Sequence, residues 1–221
     1  MNILVIAPHP DDEVIGCGGT IAKHVKNGDN VYAVIMTKGT SPMFMPESVE
    51  KVRKECMEAD KFLGVKETIM LDFPASRMEE VQRFKLNDAL VDIIQGIKPV
   101  VVYIPHRGDM QLDHKQTVDA AMVALRPRYK FIPKKVYCYE TVSETGWDIP
   151  NSTNEFIPNS FNDISDELNI KIKAMEMFTT QLEKYPNARS IESIKALAVY
   201  RGTTMNMKAA EAFMIIRELR V

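Results

Sequence analysis

Short apolar runs alternate in the first half of the chain with segments whose apolar residues recur at helical spacing. The apolar runs predict buried strands, because they show no alternation with polar residues; they cover residues 3–7, 31–37, 68–71 and 100–104. The intervening patterns predict helices over residues 14–26, 48–63, 79–97 and 114–125. Four successive strand–helix units indicate a parallel sheet covered by helices on both faces.

The pattern is weaker in the second half. Residues 136–139 predict a fifth strand, and residues 143–160, rich in Ser, Thr, Asn and Pro, predict a long loop. Helices are predicted over 163–183, opened by Ser165, and over 190–202, with a closing strand over 212–217. We see no internal repeat and no linker, so we expect one α/β domain over residues 1–221.

Composition narrows the class of protein. The 221 residues are 45% hydrophobic and 26% charged, which is ordinary for a soluble globular chain. The net charge of −2 gives no basic stripe for nucleic acid. The opening apolar run is too short for a membrane span and acidic residues follow it at once, so neither a span nor a signal peptide is expected. Three widely spaced cysteines match no disulfide framework and no zinc finger, which favours the reducing cytoplasm.

Two strand–helix junctions are unusually polar, and sites in open α/β sheets form at such junctions. They span residues 8–13 and 105–114, and they contain three of the four histidines, His9, His106 and His114. Histidine and carboxylate together suit a catalytic zinc site with three protein ligands and one open position. His9, Asp12 and His114 would supply that set. Asp11 and Asp113 would then lie beside the metal-bound water, where hydrolysis requires a general base.

A simpler interpretation stands beside this one. Asp11 or Asp12 could cap the first helix, and His106 and His114 could be surface residues near a turn. Two junctions with complementary ligands on one sheet favour the metal site. Energetics agree, because a carboxylate of pKa about 3.9 lies roughly 12 pKa units below free water but only about 3 below zinc-bound water.

The same residues form recognisable signatures. Pro8-His9-Pro10-Asp11-Asp12-Glu13, followed by Gly16-Cys17-Gly18-Gly19-Thr20, resembles the first signature of the LmbE/PIG-L family of zinc-dependent N-acetylglucosamine deacetylases, and Asp109-x-x-x-Asp113-His114 resembles its second. The likeness covers almost the whole chain. It implies a Rossmann-like three-layer sandwich with a mostly parallel sheet. It also implies zinc on His9, Asp12 and His114, Asp11 as the general base, and hydrolysis of the acetamide of a 2-acetamido sugar.

The resemblance also suggests residues that meet the substrate. Arg53 resembles a family arginine that meets the sugar, although a surface salt bridge with Glu50 or Glu55 is an equal alternative. His106 and Asp109 are further candidates for substrate binding. Asp113 and Gln111 join Asp11 as catalytic candidates.

Gln111 is a departure from the family, many of whose members carry a histidine at this position. Glutamine can donate a hydrogen bond to an oxyanion but cannot carry positive charge, and a lost oxyanion donor costs roughly 100- to 1,000-fold in rate. Either Gln111 donates adequately, His106 substitutes for it, or the enzyme is slow.

Three other functions are carried as alternatives. A metal-dependent amidase acting on a non-sugar N-acyl compound would need the same reaction centre. A non-catalytic module could retain the fold, although the complete ligand set argues against it. A nucleotide-binding oxidoreductase is disfavoured because Gly16, Gly18 and Gly19 lack the GxGxxG spacing. The expected partners are a small N-acetylated sugar or sugar conjugate and, from the apolar loop 41–46 or Trp147, a second copy of the chain. A divalent ion other than zinc also suits two histidines and an aspartate.

Overall fold

A computed structural model describes residues 1–220, in which seven strands form one mixed sheet. The strand order is β3-β2-β1-β4-β5-β7-β6, and the first five strands of this order are parallel while β7 runs antiparallel to both of its neighbours. The strands are β1 (Asn2–Ala7), β2 (Asn30–Lys38), β3 (Glu67–Pro74), β4 (Val101–Pro105), β5 (Lys135–Tyr139), β6 (Ser160–Asp163) and β7 (Ala210–Glu218). The predicted mixed α/β fold with a mostly parallel sheet is therefore confirmed.

Within residues 1–220, six α-helices flank the sheet. They are α1 (Asp12–Lys26), α2 (Pro46–Leu63), α3 (Arg83–Ile97), α4 (Leu112–Ala124), α5 (Leu168–Met175) and α6 (Ile191–Thr203). Among residues 1–220, no helix combines the length and the apolar character that crossing a membrane requires.

The alternation of β1 side chains produces two hydrophobic cores, one on each face of the sheet. Ile3 and Val5 pack into the core formed with α1, α2, α5 and α6, whereas Leu4 and Ile6 pack into the core formed with α3 and α4. Every residue from Ile3 to Ala7 is fully buried. This explains the uninterrupted apolar run, since a central parallel strand has no solvent face.

The helix predicted over residues 163–183 is wrong in extent. Residues 160–163 instead form the edge strand β6, which pairs with β7, and the helix covers only Leu168–Met175. Ser165 does not open the helix, because its backbone N–H and its hydroxyl both bond to Asp163 Oδ1 in the preceding turn. Pairing with β7 overrides the local helical spacing, as tertiary context commonly does.

The helix predicted over residues 79–97 also begins later than expected. A short 3₁₀ turn covers Met78–Glu80, and α3 begins at Arg83.

Gly16 brings α1 close to the sheet, so we expect Gly16→Ala to destabilise the protein. A Cβ at this position would overlap the ring of buried Tyr139, and such overpacking typically costs about 1–3 kcal/mol. Gly96→Ala is the matched control, because nothing lies within 4 Å of a Cβ there and alanine gains up to about 1 kcal/mol of helix propensity. Urea denaturation should therefore show shifts of opposite sign, and two equal shifts would contradict the packing role of Gly16.

Candidate metal centre and active site

Pairing between two neighbouring strands brings the two polar junctions together. β1 and β4 are adjacent and parallel, with Ile3 opposite Val101 and Val5 opposite Tyr103. The loops that follow their carboxyl ends therefore meet at one edge of the sheet. One ligand atom from each of His9, Asp12 and His114 lies within 4.8 Å of the others.

The three side chains surround a common point. Asp12 Oδ2 lies 3.2 Å from His9 Nδ1 and 3.3 Å from His114 Nε2. His114 Nε2 is buried, and it has no hydrogen-bond partner among residues 1–220. Two imidazole nitrogens and one carboxylate oxygen match the ligand set of a catalytic zinc site, so the residues fit a divalent metal ion. His114 lies in α4 and is fully buried, so it is not the surface residue of the simpler interpretation.

Asp109 fixes the ring of His114. Its Oδ2 lies 2.8 Å from His114 Nδ1, and its Oδ1 accepts a hydrogen bond of 2.5 Å from the Thr145 hydroxyl. Asp109 is fully buried and does not line the cavity. Its carboxylate instead contacts His114, a candidate metal ligand. A carboxylate on one ring nitrogen orients the other nitrogen toward the metal position.

Asp113 does the same for His9. Its Oδ2 lies 2.9 Å from His9 Nε2 and accepts a hydrogen bond of 2.6 Å from the backbone N–H of Ser76. His9 Nδ1 consequently faces Asp12. Both predicted ligand histidines are thus oriented by an aspartate from the junction between β4 and α4.

The charges around the site favour a bound cation. Burial lowers the pKa of His114, but the carboxylates of Asp12 and Asp109 raise it more, to about 10. Burial likewise opposes ionisation of Asp12, yet the two histidines hold its pKa well below the usual range. The neighbouring carboxylates stabilise the protonated imidazoles, and binding of a divalent ion would displace these protons.

Asp11 occupies the turn between β1 and α1 in an unusual conformation. Its φ of 112° lies in the left-handed region that non-glycine residues seldom adopt. Its backbone N–H donates to Glu13 Oε2 at 3.0 Å, which holds the turn. The buried carboxylate makes no helix-capping hydrogen bond; Oδ2 pairs with Arg189, and Oδ1 has no partner among residues 1–220. One oxygen is therefore held in place while the other is free to accept a proton.

A buried acidic cluster of Glu13, Cys56 and Asp60 lies behind this turn. The Cys56 thiol lies 3.5 Å from Glu13 Oε1, and Thr68 donates a hydrogen bond of 2.6 Å to Asp60. Burial raises the pKa of Glu13 well above its usual range and that of Asp60 to about 7. The turn that carries Asp11 thus lies beside carboxyl groups whose ionisation is opposed by burial.

The raised pKa of Asp60 predicts a pH-dependent stability. The folded protein keeps this proton up to pH near 7, whereas the unfolded chain releases it near pH 4. The free energy of unfolding should fall as pH rises across that window, since the unfolded state then binds fewer protons. Asp60→Asn should weaken this fall by a few kcal/mol, measured by urea denaturation across the window. Exposed Asp166→Asn is the control, and parallel curves for wild type and Asp60→Asn would contradict the assignment.

A cavity of about 460 Å³ opens beside His9. Gln111 and Arg53 also line it, as their expected roles require. Arg53 does form an ion pair, but the predicted partners Glu50 and Glu55 are wrong. Its Nη1 lies 3.0 Å from Asp72 Oδ1 and 3.3 Å from the backbone oxygen of Leu71, and both of these partners lie on β3.

His106 is not brought to this cavity. The ring is buried, with Nε2 lying 3.1 Å from the backbone oxygen of Asn154, and it packs edge-on against Phe156. Gln111, rather than His106, therefore lines the cavity next to His9. Phe44, in the 41–46 loop, lines the cavity. Trp147, in the long polar loop, is 68% exposed.

Arg189 is a residue of the site to which sequence reasoning assigned no role, although the segment Arg189-Ser190 fits the family pattern. It is 178 positions from Asp11, and no motif spacing links the two. The local signal was its place directly before Ser190, whose hydroxyl accepts a hydrogen bond of 3.1 Å from the Ser193 N–H and caps α6. That cap fixes the segment from which Arg189 reaches Asp11.

Comparison with known proteins gives a consistent result. The family profile described as "PIG-L: GlcNAc-PI de-N-acetylase" matches residues 4–125. A protein of Escherichia coli K12 named "Uncharacterized deacetylase YaiS" is 32% identical over 184 residues, covering 79% of this chain and 89% of the relative. The diacetylchitobiose deacetylase of Thermococcus kodakarensis is 23% identical and covers 97% of this chain and 83% of its own.

A solved structure extends the likeness to three dimensions. The N,N'-diacetylchitobiose deacetylase of Pyrococcus horikoshii superposes with a TM-score of 0.77 at 25% identity, covering 97% of this chain and 83% of that one. The family profile matches more than half of the residues, and it includes both junctions that form the metal centre. The protein therefore belongs to the PIG-L/LmbE family of deacetylases.

Proposed function

We propose that the protein hydrolyses the N-acetyl group of a GlcNAc-type 2-acetamido sugar, with a zinc ion held by His9, Asp12 and His114. The observation that carries the proposal is the convergence of these three ligand atoms within 4.8 Å, beside a cavity and next to a carboxylate with a free oxygen. The sugar deacetylases among the relatives support it.

The metal ion, when bound, would supply a Lewis acid for the acetamide carbonyl and lower the pKa of its water to about 7. Asp11 takes a proton from the attacking water through its free Oδ1. The water oxygen forms a bond to the carbonyl carbon, and the C–N bond then breaks. Asp11 returns the proton to the leaving nitrogen, which yields acetate and the amino sugar.

Two other side chains support these steps. Arg189 pairs with Asp11 Oδ2, which fixes the orientation of the carboxylate. Gln111 lines the same cavity as His9, and its amide N–H groups can donate to the carbonyl oxygen as negative charge develops there. The sequence left open whether Gln111 stabilises the oxyanion, His106 replaces it, or the enzyme is slow. Because Gln111 lines the cavity and His106 does not, the structure favours hydrogen-bond donation by Gln111 over substitution by His106.

Asp109 is proposed as a positioning residue, so Asp109→Asn should weaken zinc binding by roughly 10- to 100-fold. The amide would still accept from Thr145 but would lose the charge that orients His114. Competition with a chromophoric chelator measures the affinity. The exposed helix residue Asp92→Asn serves as the control, and an unchanged affinity in Asp109→Asn would show that the ring of His114 is oriented by other contacts.

Acetate release from zinc-loaded protein tests the function directly. The panel contains N-acetylglucosamine, diacetylchitobiose and several N-acetylated amines that are not sugars. Release from the sugars alone is expected. Release from the other amines alone would support the amidase alternative, and zinc-dependent release from none would favour the non-catalytic module.

Three wider expectations accompany this proposal. One domain over residues 1–221 is supported by the single sheet, which contains strands from both halves of the chain. A cytoplasmic location is supported by three buried cysteines that form no disulfide. Assembly with a second copy stays a prediction, to be measured by light scattering.

A further inference from the structure

A buried ion pair lies against α1, outside the site described above. Lys171 of α5 and Glu211 of β7 form this pair, with Nζ 2.6 Å from Oε1, and both side chains are buried. Neither residue lines the cavity beside His9. Burying two charges costs about as much as their attraction returns, so such a pair seldom adds much stability over apolar residues. The pair therefore has to be explained by what it contacts.

Both members of the pair bond to the backbone of α1. Glu211 accepts hydrogen bonds from the backbone N–H groups of Gly19, at 2.9 Å, and Thr20, at 2.7 Å. Lys171 Nζ donates to the backbone oxygen of Ile15 at 2.6 Å. All three backbone groups lie inside the helix, where N–H and C=O groups normally bond to each other. The carboxylate and the ammonium therefore hold one turn of α1 directly by its backbone.

A glycine of the first signature permits this close approach. A Cβ on Gly18 would lie 3.1 Å from Lys171 Cγ, which is tighter than most side-chain contacts. Glycine is unfavourable in the interior of a helix. Its presence at this position is therefore explained by the space that the lysine side chain needs to reach the helix backbone.

The held turn is directly connected to the candidate site. Ile15, whose C=O accepts from Lys171, donates its own N–H to the backbone oxygen of Asp11 at 2.8 Å. Asp12 is the first residue of the same helix, and its Oδ2 lies between the two candidate histidine ligands. A shift of this turn would therefore move both the candidate base and a candidate ligand.

The three candidate ligands are held in two different ways. His9 and His114 each have an orienting carboxylate, from Asp113 and Asp109 respectively. Asp12 Oδ2 contacts these two histidine rings and the backbone N–H of His9. The backbone of α1 therefore determines where the third ligand lies relative to the other two.

We propose that Lys171 and Glu211 are positioning residues of the metal centre. By holding the second turn of α1, they place Asp12 at the distance from the two histidines that a metal ion requires, and they place Asp11 beside the metal position. This inference rests on the proposed zinc-dependent function. Among the residues that the structure describes, none of α1 lines the cavity, so the pair should affect zinc affinity and kcat rather than substrate binding.

The test measures zinc affinity by competition with a chromophoric chelator, and kcat and KM by acetate release. Lys171→Met removes the donor to Ile15, and Glu211→Gln leaves one oxygen where two N–H groups and the ammonium need acceptors. Each variant should bind zinc roughly 10- to 100-fold more weakly, and kcat at saturating zinc should fall by about 10-fold or more. KM should stay close to that of wild type.

The double variant Lys171→Met/Glu211→Gln separates positioning from stability. Each single variant leaves one buried charge without its partner, whereas the double variant leaves none, so its urea midpoint should recover relative to Lys171→Met. Zinc affinity and kcat, measured without urea on protein whose circular dichroism matches wild type, should stay low because Ile15 still lacks its donor. Recovery of zinc affinity together with stability would overturn the proposal, since the pair would then act on the fold alone.

Lys26→Met is the matched control. Lys26 lies at the other end of α1, is exposed, and pairs at 3.0 Å with Glu167, the residue before α5. This ion pair also links α1 to α5, but it lies away from the metal centre. Lys26→Met should keep the zinc affinity and the kcat of wild type. Wild-type zinc affinity in both Lys171→Met and Glu211→Gln would also overturn the proposal.

The zinc measurement keeps this inference separate from the proposed function. Weaker zinc binding in the two single variants would support the positioning role even if wild type released acetate from no sugar. Acetate release by wild type, with zinc affinity and kcat unchanged in both variants, would keep the proposed function and remove the positioning role.

Discussion

Asp11→Asn is expected to lower kcat/KM for deacetylation by roughly 100- to 10,000-fold, the range found when general acid–base catalysis is lost. The side chains have nearly the same shape, so the variant should keep the turn between β1 and α1, whose backbone is held by Glu13. An amide cannot take a proton from water, and Arg189 loses its charged partner. Steady-state acetate release at saturating zinc measures the effect.

Two controls separate chemistry from folding in this experiment. Circular dichroism and zinc stoichiometry should match wild type, because Asp11 is not one of the three proposed metal ligands. Asp88→Asn, an exposed carboxylate on α3, should leave the rate unchanged. A rate of Asp11→Asn within a few-fold of wild type would remove Asp11 as the base and direct attention to another carboxylate near the water.

The cluster of His9, Asp12 and His114 was predictable because each residue lies in a junction that follows a buried strand. His9 and Asp12 come after β1, and His114 lies in the first turn of α4, the helix that follows β4. Parallel strands that neighbour each other bring their carboxyl ends together, so local sequence and one topological rule were sufficient. Asp113 was expected beside the metal position as a possible base, and in the structure its carboxylate lies 2.9 Å from His9 Nε2, an orienting contact that composition alone does not reveal.

The residues whose roles were not predicted depend on contacts between distant parts of the chain. Arg189 reaches Asp11 from a turn before α6, and Thr145 reaches Asp109 from the long polar loop. Neither position has a periodic pattern or a spacing motif. His106 shows the converse, because a histidine in the correct loop is turned away from the cavity by its packing against Phe156. Membership of a loop therefore predicts proximity to a site, while side-chain direction is decided by tertiary packing.

The boundary errors have a similar cause. Residues 160–163 contain only Ser, Phe, Asn and Asp, and nothing in that composition indicates a strand. These residues form a strand because they pair with β7, with Ser160 opposite Phe213 and Asp163 opposite Ala210. An edge strand that forms because of its pairing partner cannot be predicted from the hydrophobic periodicity of its own sequence.

His114→Ala is expected to abolish stoichiometric zinc binding and to lower deacetylation by roughly 1,000-fold or more, since metal catalysis contributes several kcal/mol. His114 is fully buried and supplies a ligand nitrogen that has no hydrogen-bond partner, so its removal leaves two protein ligands where a catalytic site uses three. Elemental analysis after dialysis should show about one zinc per wild-type chain and much less in the variant.

The chain contains its own control for this experiment. His24, the fourth histidine, lies on α1 outside the metal centre. Its Nδ1 lies 2.8 Å from Asp29 Oδ2. His24→Ala should keep both the zinc and the rate, whereas a chelator should inactivate wild type reversibly and leave His114→Ala at its residual rate. A His114→Ala protein that still binds one zinc and deacetylates at the wild-type rate would show that the ion is held elsewhere, because the remaining pair of His9 and Asp12 is too small a ligand set to retain it.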